Sequence, residues 1–144
     1  VDDVEFMGVA ESVADLEAKY SIYDAAIENA GRRPSVRPLW REVFVAETRS
    51  DALSAAGPFL QEKFAALGRT EDYDDLRPGG DFESFAADRF LVGSPDDVIA
   101  ELERYVDAFD LDYLLVRTQW KGMSAETGQG SLERFVSDVA PSFD

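Results

Sequence analysis

Hydrophobic residues recur at steps of three and four in several stretches of the chain, which is the spacing of one face of an α-helix. Two of these stretches begin with a capping pattern, Ser12 with Asp15 and Thr48 with Asp51. The pattern therefore predicts four amphipathic helices. Their apolar stripes are Leu16, Tyr20, Tyr23 and Ile27; Leu53, Ala56, Leu60, Phe64 and Leu67; Val98, Leu102, Tyr105 and Phe109; and Leu132, Phe135, Val136 and Val139.

Glycine, proline and capping residues refine the ends of these helices. Gly31 stands where a left-handed residue ends the first helix, and Gly57-Pro58 predicts a kink or two short helices in the second. The segment Ser94-Pro-Asp-Asp97 opens the third with an N-cap, a proline in the first turn and acids that complement the helix dipole. Asp81 predicts the cap of an additional short helix, and the last helix is expected to stop before Pro141.

Short apolar segments between the helices predict β-strands. Residues 39–46 and 112–118 contain runs that are apolar on both faces, as in strands covered on both sides of a parallel sheet. Residues 89–93 form a shorter extended piece, and residues 5–10 are a weaker candidate. Turn-forming residues predict a polar loop at 68–80, and a glycine-rich loop is expected from Gln119 to Gly130.

The alternation of strands and helices predicts an α/β fold whose parallel strands are joined by crossovers. The chain has 144 residues, 45% of them hydrophobic, which suits one domain with a substantial core. About three strands with covering helices are too few to close a barrel. We therefore expect residues 1–144 to be one segment of a longer chain, and the first residue, Val1 instead of Met, favours the same interpretation.

The charge balance argues against two classes of partner. There are 30 Asp and Glu against 14 Lys and Arg, a formal net charge of −16. Such a field repels nucleic acid and anionic membranes, so neither is an expected partner. The acids are scattered over an otherwise normal globular sequence, and only three of the cations are Lys. This pattern favours a halophilic protein over an ordinary acidic one, because concentrated salt screens the self-repulsion.

The absence of two residue types removes several kinds of chemistry. The chain has no Cys and no His, which excludes disulfides, thiolate metal sites, cysteine nucleophiles and histidine bases. The acidic loop at 71–75 lacks the central Gly and the closing Glu of a calcium loop, so no metal site is predicted. No apolar run approaches the ~20 residues of a membrane span, and no signal peptide is visible, so we expect a cytoplasmic location. The sequence contains no recognisable catalytic motif.

Polar side chains follow two predicted strands, at the edge where parallel α/β sheets bind ligands. Glu47 comes after the first long strand, and Arg117, Gln119 and Trp120 come at the end of the last one. Because Arg117 continues an apolar strand, its guanidinium needs a carboxylate, phosphate or carbonyl partner. That partner is either an acid of this chain, Glu42 or Glu47, or a bound ligand. Trp120 is either a pocket wall or a cap on the core.

Several segments resemble, in order and spacing, the C-terminal part of the luciferase-like monooxygenases, a family of flavin- or deazaflavin-dependent (β/α)8-barrel enzymes. The resemblance extends over about residues 38–143. It implies that the chain is the C-terminal portion of a TIM barrel, with the last two strands, their helices and an excursion that often covers the active site. The matching segments are Arg41-Glu-Val-Phe-Val-Ala46, Phe90-Leu-Val-Gly-Ser-Pro-Asp-Asp-Val98, Tyr113-Leu-Leu-Val-Arg-Thr-Gln-Trp120, Gly122-Met123 and Ser131-Leu-Glu-Arg-Phe-Val-Ser-Asp-Val-Ala-Pro141.

The resemblance also implies a function. The family binds reduced flavin or a deazaflavin at the strand ends and oxidises a small organic substrate, so FMN or a deazaflavin coenzyme is the implied cofactor. Arg117, Gln119, Trp120 and Glu47 would belong to the cofactor or substrate pocket, and residues 68–80 would be a lid. We expect part of an oxidoreductase that is inactive by itself. The alternative is a non-catalytic interaction or ligand-binding module that keeps the last strands of the fold.

The edges of the predicted sheet bear on association. A three-stranded parallel sheet has two unpaired edges, and exposed edges recruit further strands. We therefore expect homo-oligomers, because pairing with a second copy covers part of the exposed surface. The negative charge opposes this association at low salt, and screening relieves the repulsion as the salt concentration rises.

The charge pattern predicts that stability rises with salt concentration, because unscreened repulsion among the acids opposes compaction. Thermal unfolding followed from low to molar potassium chloride checks this, and the expected result is a melting temperature that increases throughout the series. A melting temperature that stays flat or falls would contradict the salt-adapted interpretation.

Overall fold

A computed structural model describes residues 7–8, 10–32, 36–69 and 81–143. Part of the predicted strand at 5–10 and most of the loop at 68–80 lie outside these residues, and of the described part of 5–10, Gly8 forms a parallel bridge with Leu39. The helices and strands in chain order are α1 (Val13–Asn29), β1 (Pro38–Val45), α2 (Arg49–Leu67), α3 (Phe82–Ala87), β2 (Leu91–Gly93), α4 (Pro95–Phe109), β3 (Tyr113–Arg117) and α5 (Ala125–Arg134), followed by a π-helical segment (Phe135–Val139) and a 3-10 helix (Ala140–Phe143).

The three strands form one parallel sheet in the order β2-β1-β3, which confirms the α/β class and the parallel connections. In the register between β1 and β3, Trp40 pairs with Leu115 and Glu42 with Arg117. Paired residues of neighbouring parallel strands point to the same face of the sheet. The register therefore places Trp40, Glu42, Leu115 and Arg117 on one face.

The sheet separates two hydrophobic clusters, so β1 is covered on both sides as its sequence predicts. On the face of Phe44, the buried stripe of α2 packs with Phe90, Val92, Trp120 and Met123. On the face of Val43 and Val45, the buried residues come from α1, α4 and the π-helical segment. The central strand therefore belongs to both clusters.

Strand β3 differs from its prediction as a buried strand. Tyr113 is exposed, and the other four residues of β3 are only half-buried. The strand pairs with β1 along one edge, and no described strand pairs with its other edge. The apolar pattern of Leu114 to Val116 is therefore only partly covered by the described residues. The prediction of burial was wrong because burial of an edge strand requires a neighbour on its far side.

The helix starts follow the capping patterns. The side chains of Ser12, Thr48, Asp81 and Ser94 accept hydrogen bonds from backbone N–H groups three residues on, and Gly31 adopts a φ of +69° just past α1. In α4 the capping box is complete, because Asp97 also accepts from the backbone of Ser94 at 2.9 Å. The Ser94 hydroxyl, which donates to the Asp97 carboxylate at 2.7 Å, and the Ser94 backbone N–H together lower the pKa of Asp97.

Helix α2 is continuous, so of the two alternatives predicted at Gly57-Pro58, a kink or two short helices, the two short helices were wrong. Pro58 lies inside it and is exposed, which costs the helix one backbone hydrogen bond. Buried residues lie on both sides of Pro58, namely Ala52 and Ala56 before it and Leu60 and Phe64 after it. Packing of this continuous stripe against the sheet holds the helix together, as tertiary burial commonly overrides local propensity.

The last helical region also begins earlier and ends later than its prediction. The expected loop from Gln119 to Gly130 is shorter, because Ser124 caps α5 and the helix starts at Ala125. Glycines favoured a loop there, yet Gly128 is helical and buried against the preceding segment. At the other end the chain remains helical through Pro141, first with π and then with 3-10 geometry.

The capping box of α4 generates a stability prediction. Ser94→Ala removes the acceptor for the Asp97 amide and the hydroxyl that donates to Asp97, so unfolding should become easier by about 1 kcal/mol. Chemical denaturation measures this difference. Ser54→Ala, on an exposed site in the interior of α2, is the control and should change stability by less than about 0.5 kcal/mol. Equal effects of the two substitutions would contradict a stabilising cap.

Candidate functional site

The carboxylate of Glu42 lies in the middle of the central strand β1 with 5% of its side chain exposed. A buried carboxylate is costly unless charged and hydrogen-bonding partners surround it. Glu42 shares its face of the sheet with Phe44, which packs into the cluster beneath α2. Glu42 therefore requires cations or N–H donors close to its carboxylate.

Three side chains from different parts of the chain converge on this carboxylate. Lys63 of α2 donates to Oε1 of Glu42, and the indole Nε1 of Trp120 donates to Oε2. The guanidinium Nη1 of Arg117 lies 3.9 Å from Oε1 of the same carboxylate. The cluster formed by Glu42, Lys63, Arg117 and Trp120 is called the Glu42 cluster below. It joins the sheet, α2 and the segment after β3.

Arg117 stands at the carboxyl end of β3. The sequence left open whether its partner is an acid of this chain or a ligand, and the structure shows an ion pair within the chain. Its carboxylate partner among the described residues is Glu42, the residue opposite it in the register. The guanidinium also stacks over the ring of Trp40, with its Cζ 4.6 Å from the ring centroid. Since 39% of the Arg117 side chain is exposed, the same group still faces solvent and can contact a ligand.

A cavity of about 520 Å³ opens beside the Glu42 cluster. Its volume lies within the usual range for small-molecule pockets. One wall comes from the C-terminal half of α2 and the other from the end of β3 and the residues after it. The lining residues are Phe59, Glu62, Lys63, Ala66, Leu67, Arg117, Gln119, Trp120 and Lys121. Three of the four candidates named from sequence therefore line one cavity.

Trp120 has both of the roles that sequence reasoning could not separate. Its side chain is buried, and its ring lies 6.2 Å from that of Phe44 in the hydrophobic cluster. One surface of the residue nevertheless lines the cavity. Because its N–H group is committed to Glu42, the indole is held in one orientation. Trp120 is therefore a rigid wall between the core and the cavity.

Gln119 lines the cavity from an exposed position and is held by close packing of α5. A Cβ added to Gly128 would lie 2.9 Å from Cβ of Gln119 and 3.2 Å from the backbone oxygen of Thr118. Only glycine allows α5 to approach this segment so closely. The amide of Gln119 also reaches the backbone oxygen of Met123 at 3.5 Å. The glycines that predicted a loop thus support one wall of the cavity.

The fourth candidate, Glu47, is not among the described residues that line the cavity. It is exposed two residues past the end of β1, whereas β3 ends opposite Glu42. The two strands therefore end at different levels, which the sequence did not reveal. Sequence reasoning in turn missed Lys63, Phe59 and Lys121 as lining residues. The available signal for Lys63 was the acid at position 42, which needed a cation if its strand was buried.

A second buried charge lies on the opposite face of β1. Arg41 is fully buried, donates from Nη2 to the backbone oxygen of Glu11 at 3.1 Å, and stacks over Tyr105 with Cζ 5.2 Å from the ring centroid. Burial raises the pKa of Tyr105 to about 12, so its phenol is neutral at physiological pH. This group packs among α1 and α4, away from the cavity, and its interactions are structural.

The fold is shared with solved monooxygenase structures. RslO1, a monooxygenase of Streptomyces bottropensis, aligns with 96% of this chain at a TM-score of 0.78 and 19% identity. The oxygenating constituent of 3,6-diketocamphane monooxygenase from Pseudomonas putida, a type II Baeyer–Villiger monooxygenase solved with FMN, aligns with 94% at a TM-score of 0.67 and 22% identity. A riboflavin lyase solved with modified FMN and riboflavin aligns with 94% at a TM-score of 0.61 and 15% identity.

The alignments cover only part of each of these proteins. The chain spans 41%, 42% and 37% of their lengths, respectively, as expected for part of a barrel. The resemblance to the luciferase-like monooxygenases is thereby confirmed at the level of the fold. No family profile and no curated protein sequence matches the chain. Among the described helices, none has both the length and the apolar character of a membrane span.

The Glu42 cluster predicts unequal costs for removing its two cations. Lys63→Met removes the nearest cation from a buried carboxylate and should lower the free energy of unfolding by about 2–3 kcal/mol. Arg117→Met removes a longer, half-exposed ion pair and should cost less than about 1 kcal/mol. Denaturant titrations of the two variants measure the difference. A larger loss in the Arg117 variant would show that Arg117, rather than Lys63, compensates Glu42.

Proposed function

We propose that the chain is part of a flavin-dependent oxidoreductase of the monooxygenase type, acting on a small organic substrate. The observation that carries the proposal is the cavity at the carboxyl end of β3, lined by Arg117, Gln119 and Trp120. Ligands of α/β barrels bind at this end of the strands. The shared fold with proteins that bind FMN supports the same assignment.

The lining fits a flavin or a deazaflavin in its chemical character. The rings of Trp120 and Phe59 offer flat apolar surfaces, and Gln119 and Arg117 offer donors at the edge of the cavity. When bound, the cofactor supplies the electron transfer and the reaction with an oxidant, which no side chain of this chain can supply. FMN or a deazaflavin coenzyme is therefore the proposed cofactor.

In this proposal, the chain's own residues bind the ligand in the cavity and orient it. Glu42 holds the Trp120 indole through its N–H group and holds Lys63 at the cavity wall. Arg117, fixed over Trp40, presents its guanidinium to a polar edge of the ligand. The apolar part of α2 at Phe59, Ala66 and Leu67 keeps water from that side of the cavity. We assign no proton-transfer step to these residues.

Flavin content and a matched pair of substitutions test the proposal. The protein expressed from its complete gene should carry flavin-like or deazaflavin-like visible absorbance. Arg117→Met should weaken cofactor or substrate binding about tenfold per folded molecule, the loss of one charge-assisted contact. Arg134→Met is the control, because the Arg134 side chain is about as exposed as that of Arg117 and also forms a long ion pair, at 3.7 Å with Asp138 of the π-helical segment.

The outcomes separate the proposal from the alternative of a binding module. Cofactor absorbance with a binding loss confined to the Arg117 variant supports an oxidoreductase whose pocket includes the cavity. A complete protein that takes up neither flavin nor deazaflavin contradicts the proposal and favours a non-catalytic module. Unchanged binding in the Arg117 variant, with lowered stability, assigns Arg117 to the internal ion pair alone.

A further inference from the structure

The cavity beside the Glu42 cluster has a charge opposite to that of the chain. Its lining contains the three cations Lys63, Arg117 and Lys121 against one acid, Glu62. Even with the buried carboxylate of Glu42 included, the described residues around the cavity keep one cation in excess. The chain as a whole carries a formal net charge of −16. A cationic cavity in so acidic a chain attracts anions locally while the remaining surface repels them.

The cations differ in how far Glu42 neutralises them. Lys63 is hydrogen-bonded to this carboxylate, whose other oxygen is occupied by Trp120. Arg117 approaches Glu42 only to 3.9 Å and keeps 39% of its side chain exposed. Lys121 is exposed and forms no ion pair with a described residue. Arg117 and Lys121 therefore retain donors that can be directed toward a ligand.

The remaining wall is apolar. Phe59, Ala66, Leu67 and Trp120 supply the apolar part of the lining, and Gln119 and Glu62 complete it. A site that combines an apolar wall with cations at its edge binds molecules that have a hydrophobic body and an acidic group. This combination distinguishes the cavity from a general anion site, which needs no apolar surface.

We infer that the cavity binds an organic monoanion, a carboxylate attached to an aromatic or aliphatic body, as the substrate of the proposed oxidoreductase. The inference rests on the proposed function for its use of the cavity as the substrate pocket. The carboxylate lies between Arg117 and Lys121, and the apolar body lies against Trp120 and Phe59. Arg117 gives the carboxylate paired donors and Lys121 a mobile point charge.

A monoanion fits the position better than a phosphate dianion. The residues that α2 contributes begin at Phe59 and reach its last residue, Leu67, so the negative end of the helix dipole lies at this wall. Phosphate sites commonly use the opposite, N-terminal end of a helix, where free amides point at the ligand. No described helix begins among the lining residues. Recognition here therefore depends on side-chain cations.

Isothermal titration calorimetry with 2-naphthoate and its neutral analogue 2-naphthamide tests the inference on the complete protein. The two probes share one apolar body, so their difference in affinity isolates the negative charge. We expect 2-naphthoate to bind about tenfold more tightly, the size of one charge-assisted interaction. Lys121→Met should reduce this ratio at least about threefold and leave 2-naphthamide binding unchanged.

Lys121→Met is the main variant because it leaves the Glu42 cluster intact. Arg117→Met is the second variant, and it should also lower the preference for the anion. Lys19→Met is the matched control, since Lys19 is an exposed lysine on α1 that pairs with Glu11 and does not line the cavity. Equal affinities for the two probes, or a preference that survives both cavity substitutions, would overturn the inference.

Titration of the same variants with FMN and riboflavin distinguishes this inference from the proposed function. If Lys121→Met weakens the binding of FMN but not of riboflavin, the cavity binds the cofactor phosphate. That result overturns the substrate inference and leaves the proposed oxidoreductase function intact. If the protein binds neither flavin nor a deazaflavin but prefers 2-naphthoate with the expected variant effects, the anion site stands and the proposed function fails. Flavin binding insensitive to Lys121, together with the naphthoate preference, supports both.

Discussion

The buried carboxylate of Glu42 is the constraint on which the other features of the site depend. Desolvating a carboxylate in the middle of a central strand costs several kcal/mol, and only nearby cations and N–H donors offset that cost. The compensation comes from three separate segments: Lys63 on α2, Arg117 at the end of β3 and Trp120 beyond it. Each segment thereby gains a polar contact with β1 beside its other packing. The cavity lies between α2 and the end of β3 because Glu42 holds both in place.

Strand β1 carries buried charges on both of its faces, and the two have different surroundings. Glu42 is compensated by ionic partners beside an open cavity, where a ligand can add a contact. Arg41, on the other face, donates to a backbone carbonyl and stacks over an aromatic ring among the helices. Both are polar groups in a hydrophobic strand. Access to a cavity, rather than burial or charge, distinguishes the candidate functional residue from the structural one.

Strand β3 carries a residue of the site and lies at the edge of the sheet that the described residues form. One of its edges pairs with β1 and brings Arg117 to Glu42, while the other has no described partner strand. The chain corresponds to about two fifths of the monooxygenases that share its fold. Half-burial of β3 is therefore a consequence of its place at the edge of this sheet. The cavity beside β3 has α2 as one wall and the end of β3 as the other.

Local sequence patterns alone determined most of the secondary structure, because caps and periodic apolar stripes act within one or two turns. They placed α1, α4 and the strand around Phe44, and they singled out Arg117, Gln119 and Trp120 as neighbours at a strand end. The tertiary structure decided what depends on distant contacts. Burial against the sheet kept α2 whole across Pro58, and close packing made Gly128 part of a helix. The parallel register set Arg117 opposite Glu42 and left Glu47 beyond the cavity, because the relative level of two strands is a property of their pairing and not of either sequence.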